Sequence, residues 1–136
     1  MSLFSFSGTA PTDLGVNNGQ LKQCPDTPNC VCSQAPSDDK EHAIAPLTYT
    51  GSAKDAIQRL KQIIEGMERS TINKVTDDYL YAEFSSKLMG FVDDVEFYAP
   101  AGESVIHTRT AARLGKSDLG VNRKRTEEIR AKFVGA

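Results

Sequence analysis

Four side chains in the middle of the chain have the chemistry to move protons: Glu83, Asp94, Glu96 and His107. Neighbouring carboxylates in different surroundings hold different pKa values and can divide the roles of general acid and general base, while a nearby histidine orients a substrate. These residues fit a small hydrolase-like or isomerase-like enzyme. Opposite charges that face each other across strands are also ordinary ion pairs on a solvated sheet face. We favour the interpretation of these residues as structural ion pairs, and an enzyme that uses them is the alternative.

The elements that must position these side chains are four predicted strands, written RSTINKV, YLYAEFSSK, GFVDDVEFY and ESVIHTRTAAR. Turn-forming stretches separate them at Asp77-Asp78, Met89-Gly90 and Pro100-Ala101-Gly102. Each strand alternates in side-chain character, which predicts an antiparallel meander. The middle hairpin places Glu83 opposite Asp94, and the last hairpin places Asp94 opposite Arg109 and Glu96 opposite His107.

The other face of this sheet collects apolar residues that helices can cover: Leu80, Ala82, Phe84, Phe91, Val95, Phe97 and Ile106. Asp93 falls on that face by alternation. A buried carboxylate without a partner costs several kcal/mol, so we predict that Asp93 is buried and bonded to an arginine from residues 109–125. An anchor that ties the following loop to the sheet is favoured over a functional carboxylate.

The loop RLGKSDLGVNRKR (113–125) concentrates glycines, helix-capping side chains and arginines just before a predicted helix. Helix N-termini and guanidinium groups bind phosphate or carboxylate well, so the loop is a candidate anion site. It lacks the P-loop pattern, and a structural loop of caps and salt bridges is the competing interpretation. The candidate binding residues are Asp93, Arg109, Arg113, Ser117, Asp118, Asn122, Arg123 and Arg125.

The three cysteines, Cys24, Cys30 and Cys32, all lie in the segment CPDTPNCVC. A bond between Cys24 and Cys30 would staple a tight proline-containing loop in an oxidising compartment and leave Cys32 as a free thiol. Three thiolates with His42 lack the spacing of a zinc knuckle, so no metal is predicted. Buried, unreactive thiols are the remaining alternative.

Two helices complete the predicted architecture. Ser52 followed by Asp55 resembles a capping box, and apolar residues at helical spacing continue to a stop near Gly66. A second helix is predicted over residues 125–133. We therefore expect one α+β domain: an irregular N-terminal arm (1–46) packed on a core (47–136) of order β-α-β-β-β-β-α, with a four- to five-stranded antiparallel sheet and both helices on one face.

The composition is that of an ordinary soluble domain: 136 residues, 39% hydrophobic and 25% charged. No run approaches the roughly 18 apolar residues of a membrane span. The start MSLFSFSG lacks the features of a secretory signal, which predicts a cytoplasmic protein, with an exported or organellar setting as the alternative. Few aromatic residues accompany the arginines, and the formal net charge is −2, which disfavours nucleic-acid binding.

Three stretches resemble the domain of unknown function 1499 family: LGVNNGQLKQCPDTPNCVCSQ (14–34), GFVDDVEF (90–97) and RTAARLGKSDLGVNRKRTEEIRAKF (109–133). The resemblance implies a common structural unit rather than a reaction. It also points to Cys24 and Cys30 as the bonded pair, with Cα atoms less than about 7 Å apart. Cys32 stands where the family typically has serine.

From these features we predict a binding or accessory module that holds a small anionic ligand or a protein partner at the loop 113–125. No cofactor is predicted. The alternative is the hydrolase-like or isomerase-like enzyme that uses Glu83, Asp94, Glu96 and His107.

Overall fold

The computed structural model describes residues 8–86, 91–115 and 117–135. Its elements in chain order are β1 (Cys30–Cys32), β2 (Leu47–Thr48), α1 (Ala53–Glu65), β3 (Ser70–Val75), β4 (Tyr79–Ser85), β5 (Val92–Tyr98), β6 (Val105–Ala112) and α2 (Val121–Val134). From β2 onward this is the predicted order, and the α+β class is confirmed. The predicted turn at Met89-Gly90 lies outside the described residues.

The first helix begins and ends where the sequence predicts. The Ser52 hydroxyl accepts a hydrogen bond from the Asp55 backbone N–H at 3.1 Å, and Gly66 is the C-cap. A serine oxygen there satisfies one of the N–H groups that a helix start leaves without a partner. The second helix begins at Val121, four residues earlier than predicted, because Asp118 accepts the backbone N–H of Asn122 at 3.1 Å.

Within the described residues the strands form one antiparallel sheet of order β1-β6-β5-β4-β3, and β2 also pairs with β6. The register between β4 and β5 places Glu83 opposite Asp94, as predicted. The sheet buries one face against both helices. The core cluster on that face is formed by Leu47, Ala56, Ile57, Leu60, Ile64, Leu80, Ala82, Phe84, Val95, Phe97, Ala99, Ile106, Ile129 and Phe133.

The register between β5 and β6 differs from the prediction by two residues. Asp94 lies opposite Ala111 and Glu96 lies opposite Arg109, so the predicted pairs of Asp94 with Arg109 and Glu96 with His107 are wrong. The connection is wider than a tight turn, since the first residues of β6 pair with β2. Side chains alternate with a period of two, so this shift leaves the side chains of β5 and β6 on their predicted faces. Phe91, which was predicted on the covered apolar face, instead lies before β5 and is 40% exposed.

The N-terminal arm is more ordered than predicted, because it contributes strand β1 to the sheet edge beside β6. It also crosses the polar face of the sheet, where the backbone N–H of Gly15 donates to Glu96 at 2.8 Å. Arg123 and Arg130 of α2 hold the end of the arm by donating to the carbonyls of Ala43 and Pro46 at 2.9 and 2.8 Å. The polar face is therefore covered, whereas a solvated face was expected.

Candidate functional site

The polar face carries a buried group of ionisable side chains, which we call the arm-covered cluster: Tyr79, Tyr81, Asp94, Glu96, Arg109 and Arg113. The Tyr79 hydroxyl donates to Glu96 at 2.5 Å, and the Tyr81 hydroxyl donates to Asp94 at 2.6 Å. Burial and the adjacent carboxylates raise the pKa of both tyrosines. Both phenols therefore remain protonated donors at neutral pH.

Arg113 is the cation of this cluster that pairs with Asp94. Its Nη2 atom lies 2.6 Å from Asp94 and 3.2 Å from Glu83. The side chains of Arg113 and Asp94 are 7% and 3% exposed. The two carboxylates raise the pKa of Arg113, chiefly through the hydrogen bond from Arg113 to Asp94. Two carboxylates around one buried guanidinium make a structural anchor, and the catalytic candidates Glu83 and Asp94 both belong to it.

Glu96 and Arg109 are direct cross-strand neighbours on the same face. Both are buried, and burial raises the pKa of the Glu96 carboxyl, opposed by the bonds from Tyr79 and Gly15. Glu96 Oε1 and Arg109 Nε have no hydrogen-bond partner among the described residues. Arg109 therefore lies on the opposite face of the sheet from Asp93 and does not border the cavity beside Asp93 and Arg125.

His107 is separated from the carboxylates and pairs with a residue that the sequence did not single out. The Ser33 hydroxyl lies 2.9 Å from His107 Nδ1 and accepts the backbone N–H of Thr108 at 2.8 Å. Burial lowers the pKa of His107. The imidazole is therefore neutral at pH 7 and can accept the serine proton. Ser33 comes next to His107 only because β1 pairs with β6, which local sequence patterns did not reveal.

The opposite face carries the second charged pair. Asp93 is buried, and its Oδ2 atom accepts from Arg125 Nη1 at 2.7 Å, which confirms the predicted burial and arginine partner. Burial raises the pKa of Asp93, and the guanidinium opposes that shift. Arg125 also lies over the ring of Phe84, 4.7 Å from its centroid, and donates to Asn122 at 3.1 Å. The pair links the start of α2 to β5.

The loop before α2 uses much of its polar chemistry on itself. Asp118 accepts the backbone N–H groups of Gly120 and Asn122 at 2.8 and 3.1 Å, so a carboxylate already occupies the helix start. Ser117 accepts the N–H of Leu119 at 3.3 Å. Asn122 is fully buried and accepts from Thr110 at 2.6 Å. Asp93, Ser117, Asp118 and Arg125 border one cavity, whereas Arg109, Arg113 and Arg123 lie elsewhere.

That cavity, of about 360 Å³, is a groove open to solvent, and we call it the open groove. It lies between the start of β5 and the start of α2, and we define it by Arg69, Phe91, Leu114, Leu119, Val121 and Arg125. Leu119 is 93% exposed, and Phe91, Leu114 and Val121 are each exposed by about 40%. Exposed apolar residues scattered singly carry little meaning, whereas large contiguous apolar patches are typical of interaction sites, so the shared cavity makes this groove a candidate.

The cysteine segment forms a third region. Cys24 and Cys30 form a disulfide with a Cα separation of 5.6 Å, which confirms the predicted pair. Cys32 is a free, buried thiol. Near it, His42 contacts Asp39 at 2.8 Å, and the bonds to Thr27 and Asp39 raise the pKa of His42 against the effect of burial. Within the parts of the chain described, no group of three or more His, Cys, Asp or Glu residues is arranged to hold a metal ion.

Fold and geometry together define a small α+β domain with a covered polar face and an open groove. The family model described as Protein of unknown function (DUF1499) matches residues 20–133, and the chain belongs to this family. No curated protein sequence matches the chain. Neither described helix is long and apolar enough to cross a membrane.

Proposed function

We propose that this protein is a binding module for an anionic amphiphile, which lies in the open groove. The apolar chain of the ligand packs against Leu114, Leu119 and Val121, and its charged end contacts Arg69 and Arg125. One observation carries the proposal: among the described residues, four of the five exposed large apolar side chains border this single cavity. A pocket of a few hundred Å³ with apolar walls and a few polar groups is typical of small-molecule sites.

The charges around the groove favour an anionic end over a cationic one. Asp93 is already paired with Arg125, and Asp118 is engaged by the first N–H groups of α2. Both hydrogen bonds of Arg125 use Nη1, and its Nη2 and Nε atoms bond to no described residue. The Arg69 side chain is 43% exposed and forms its charge pair with the neighbouring Glu68. Two guanidinium groups thus retain donors for a carboxylate or phosphate.

The groove also explains which parts of the loop 113–125 a ligand would use. Arg113 and Arg123 are occupied by Asp94 and by the arm carbonyls, so they support the fold. Arg125 and Ser117 border the cavity and are available to contact a ligand. The ligand site is therefore a subset of the residues that the sequence grouped, with Arg69 and the apolar residues added.

This arrangement favours the binding module over the hydrolase-like or isomerase-like enzyme. Asp94 and Glu96 are buried beneath the arm and bonded to tyrosine hydroxyls. A general acid or base must come within hydrogen-bond reach of a substrate proton. The closed cover over these carboxylates supports a structural role for them, while His107 is paired with Ser33 instead.

Calorimetric titration with dodecyl phosphate, compared with inorganic phosphate, tests the proposal. We expect saturable binding of dodecyl phosphate and at least tenfold weaker binding after Leu119→Ser, because burying a leucine contributes roughly 1.5–3 kcal/mol. Val134→Ser is the matched control, since Val134 is 75% exposed and lies on no part of this groove. Equal affinities for Leu119→Ser and Val134→Ser would contradict the groove as the binding site.

The charged end is tested separately with Arg69→Gln, and Lys54→Gln on the surface of α1 is its control. We expect Arg69→Gln to weaken dodecyl phosphate binding and to leave the binding of an uncharged dodecyl ether unchanged. If both ligands lose affinity equally, Arg69 acts through packing and the anionic preference is wrong.

A further inference from the structure

All three cysteines of the chain lie in the cysteine segment. The Cys24–Cys30 disulfide leaves Cys32 as the one free thiol of the chain. Cys24 and Cys32 both line a cavity of about 200 Å³, together with Gln20, Gln34, Asp39 and His42. The residue with the free thiol and one residue of the disulfide therefore border the same small space. This cavity is separate from the open groove.

Strand β1 carries the present disulfide partner of Cys24 and the free thiol close together in sequence. Cys30 and Cys32 are two residues apart on one strand, and side chains at that spacing point to the same face. They pair with Ala111 and Arg109 of β6, so both lie on the arm-covered face. The Cα atoms of Cys30 and Cys32 are separated by about 7 Å along the strand. For Cys24 to change partner from Cys30 to Cys32, the segment that carries Cys24 must move along β1 by about that distance.

We propose that this cavity is a thiol–disulfide exchange site in which Cys32 displaces Cys30 from its bond with Cys24. The Cys32 thiolate attacks the Cys24 sulfur, a Cys24–Cys32 bond forms, and the Cys24–Cys30 bond breaks. Cys30 leaves as a thiolate and takes up the proton that Cys32 released. One disulfide and one thiol are present before and after, so the step requires no external oxidant or reductant.

The charged groups around Cys32 set the conditions for this exchange. Burial raises the pKa of the Cys32 thiol; the nearby Arg109 opposes this, and Glu96 adds to it. Asp39 and His42 border the same cavity from the arm. Only the thiolate attacks a disulfide, so the exchange is slow at neutral pH and its rate rises about tenfold per pH unit while the thiol remains mostly protonated.

Differential alkylation of the wild-type protein tests the exchange. The protein is incubated at pH 7, 8 and 9 and acidified, and its thiols are labelled under denaturing conditions. After reduction, the remaining cysteines receive a second label. Fragment spectra distinguish labels on Cys30 and Cys32 because Val31 lies between them. We expect the first label to appear on Cys30 as well as Cys32, about tenfold faster per pH unit; first label on Cys32 alone at every pH would overturn the proposal.

The variant Cys30→Ala provides a second, independent test, because it removes the present partner of Cys24. We expect this variant, oxidised in air, to form a Cys24–Cys32 bond and to show no free thiol. The control is Cys32→Ser, which keeps the Cys24–Cys30 bond and has no thiol to exchange. Two separately alkylated thiols in the Cys30→Ala variant would contradict the proposal, and the wild-type measurement decides the matter if that variant does not fold.

Discussion

Asp93 and Asp94 are adjacent on β5, yet they belong to two different regions of the molecule. Asp94 points to the arm-covered cluster, where it and Arg113 are 3% and 7% exposed. Asp93 points to the open groove, where it and Arg125 are 11% and 15% exposed. Each carboxylate has one arginine, so the pairing chemistry is the same. What differs is the cover: the arm closes one face, while the other opens to a cavity.

The two regions differ in how many further partners their charged groups have. In the arm-covered cluster, the Tyr81 hydroxyl donates to Asp94 and the backbone N–H of Gly15 donates to Glu96. These hydrogen bonds add to the attraction of the nearby arginines. In the groove, Arg125 keeps two donor atoms without a described partner, beside exposed apolar side chains. Charged pairs enclosed by further partners anchor a fold, and charged pairs with spare donors can hold a ligand.

The largest expected effect is in the closed region. Asp94→Ala should lower the free energy of unfolding by about 3–5 kcal/mol, because it leaves Arg113 buried with one partner fewer and removes the nearer acceptor of the Tyr81 hydroxyl. Urea denaturation measures this. Glu83→Ala is the control: Glu83 is 28% exposed and contacts the same arginine, so we expect a loss below about 1 kcal/mol. Equal losses would show that burial does not distinguish the two carboxylates.

A smaller effect is expected in the open region. Asp93→Asn should cost about 2–4 kcal/mol, because Arg125 then keeps its charge without a counterion. Water can reach this pair through the groove, so the cost should remain below that of Asp94→Ala. An unchanged denaturation midpoint for Asp93→Asn would refute the anchor.

The smallest effect concerns pH. Burial raises the native pKa of Glu96 above its ordinary value of 4.5, so the folded state binds the proton more tightly than the unfolded state. The contribution of Glu96 to the free energy of unfolding is therefore fully present below about pH 4.5 and is lost as the pH rises through the native pKa. Glu96→Gln removes the titrating proton and should flatten the fall in stability above pH 4.5, which urea denaturation at a series of pH values measures. If the free energy of unfolding of the wild type and of Glu96→Gln depends on pH in the same way, the raised pKa of Glu96 is wrong.

The sequence predicted the elements from β2 onward and the faces of the central strands because these depend on local periodicity. Alternation in β4 and β5 placed Asp93 among apolar residues, and the structure confirms its burial and its arginine partner. The register between β5 and β6 was wrong by two residues, since alternation is identical after a shift of two. The first residues of β6 pair with β2, which is distant in sequence, so local alternation could not reveal the width of that connection.

The site was harder to predict than the fold, because its parts meet through long-range packing. Nothing local in residues 8–46 indicates that Gly15 will donate to Glu96, so the cover over the polar face was missed. Leu119 and Arg69 come from separate parts of the chain and meet only in the folded protein, where both border the groove. The apolar residues Leu114, Leu119 and Val121 in an otherwise polar stretch are a sequence signal that could have pointed to the groove, although our predictions did not use it.

The most direct test of the binding account is the position of amide chemical-shift changes during titration with dodecyl phosphate. We predict saturable changes concentrated at residues 114–121 and at Arg69, with none at residues 13–17 on the arm. Changes concentrated on the arm, or no changes at millimolar ligand, would contradict the claim that the groove, rather than the arm-covered cluster, is the functional site.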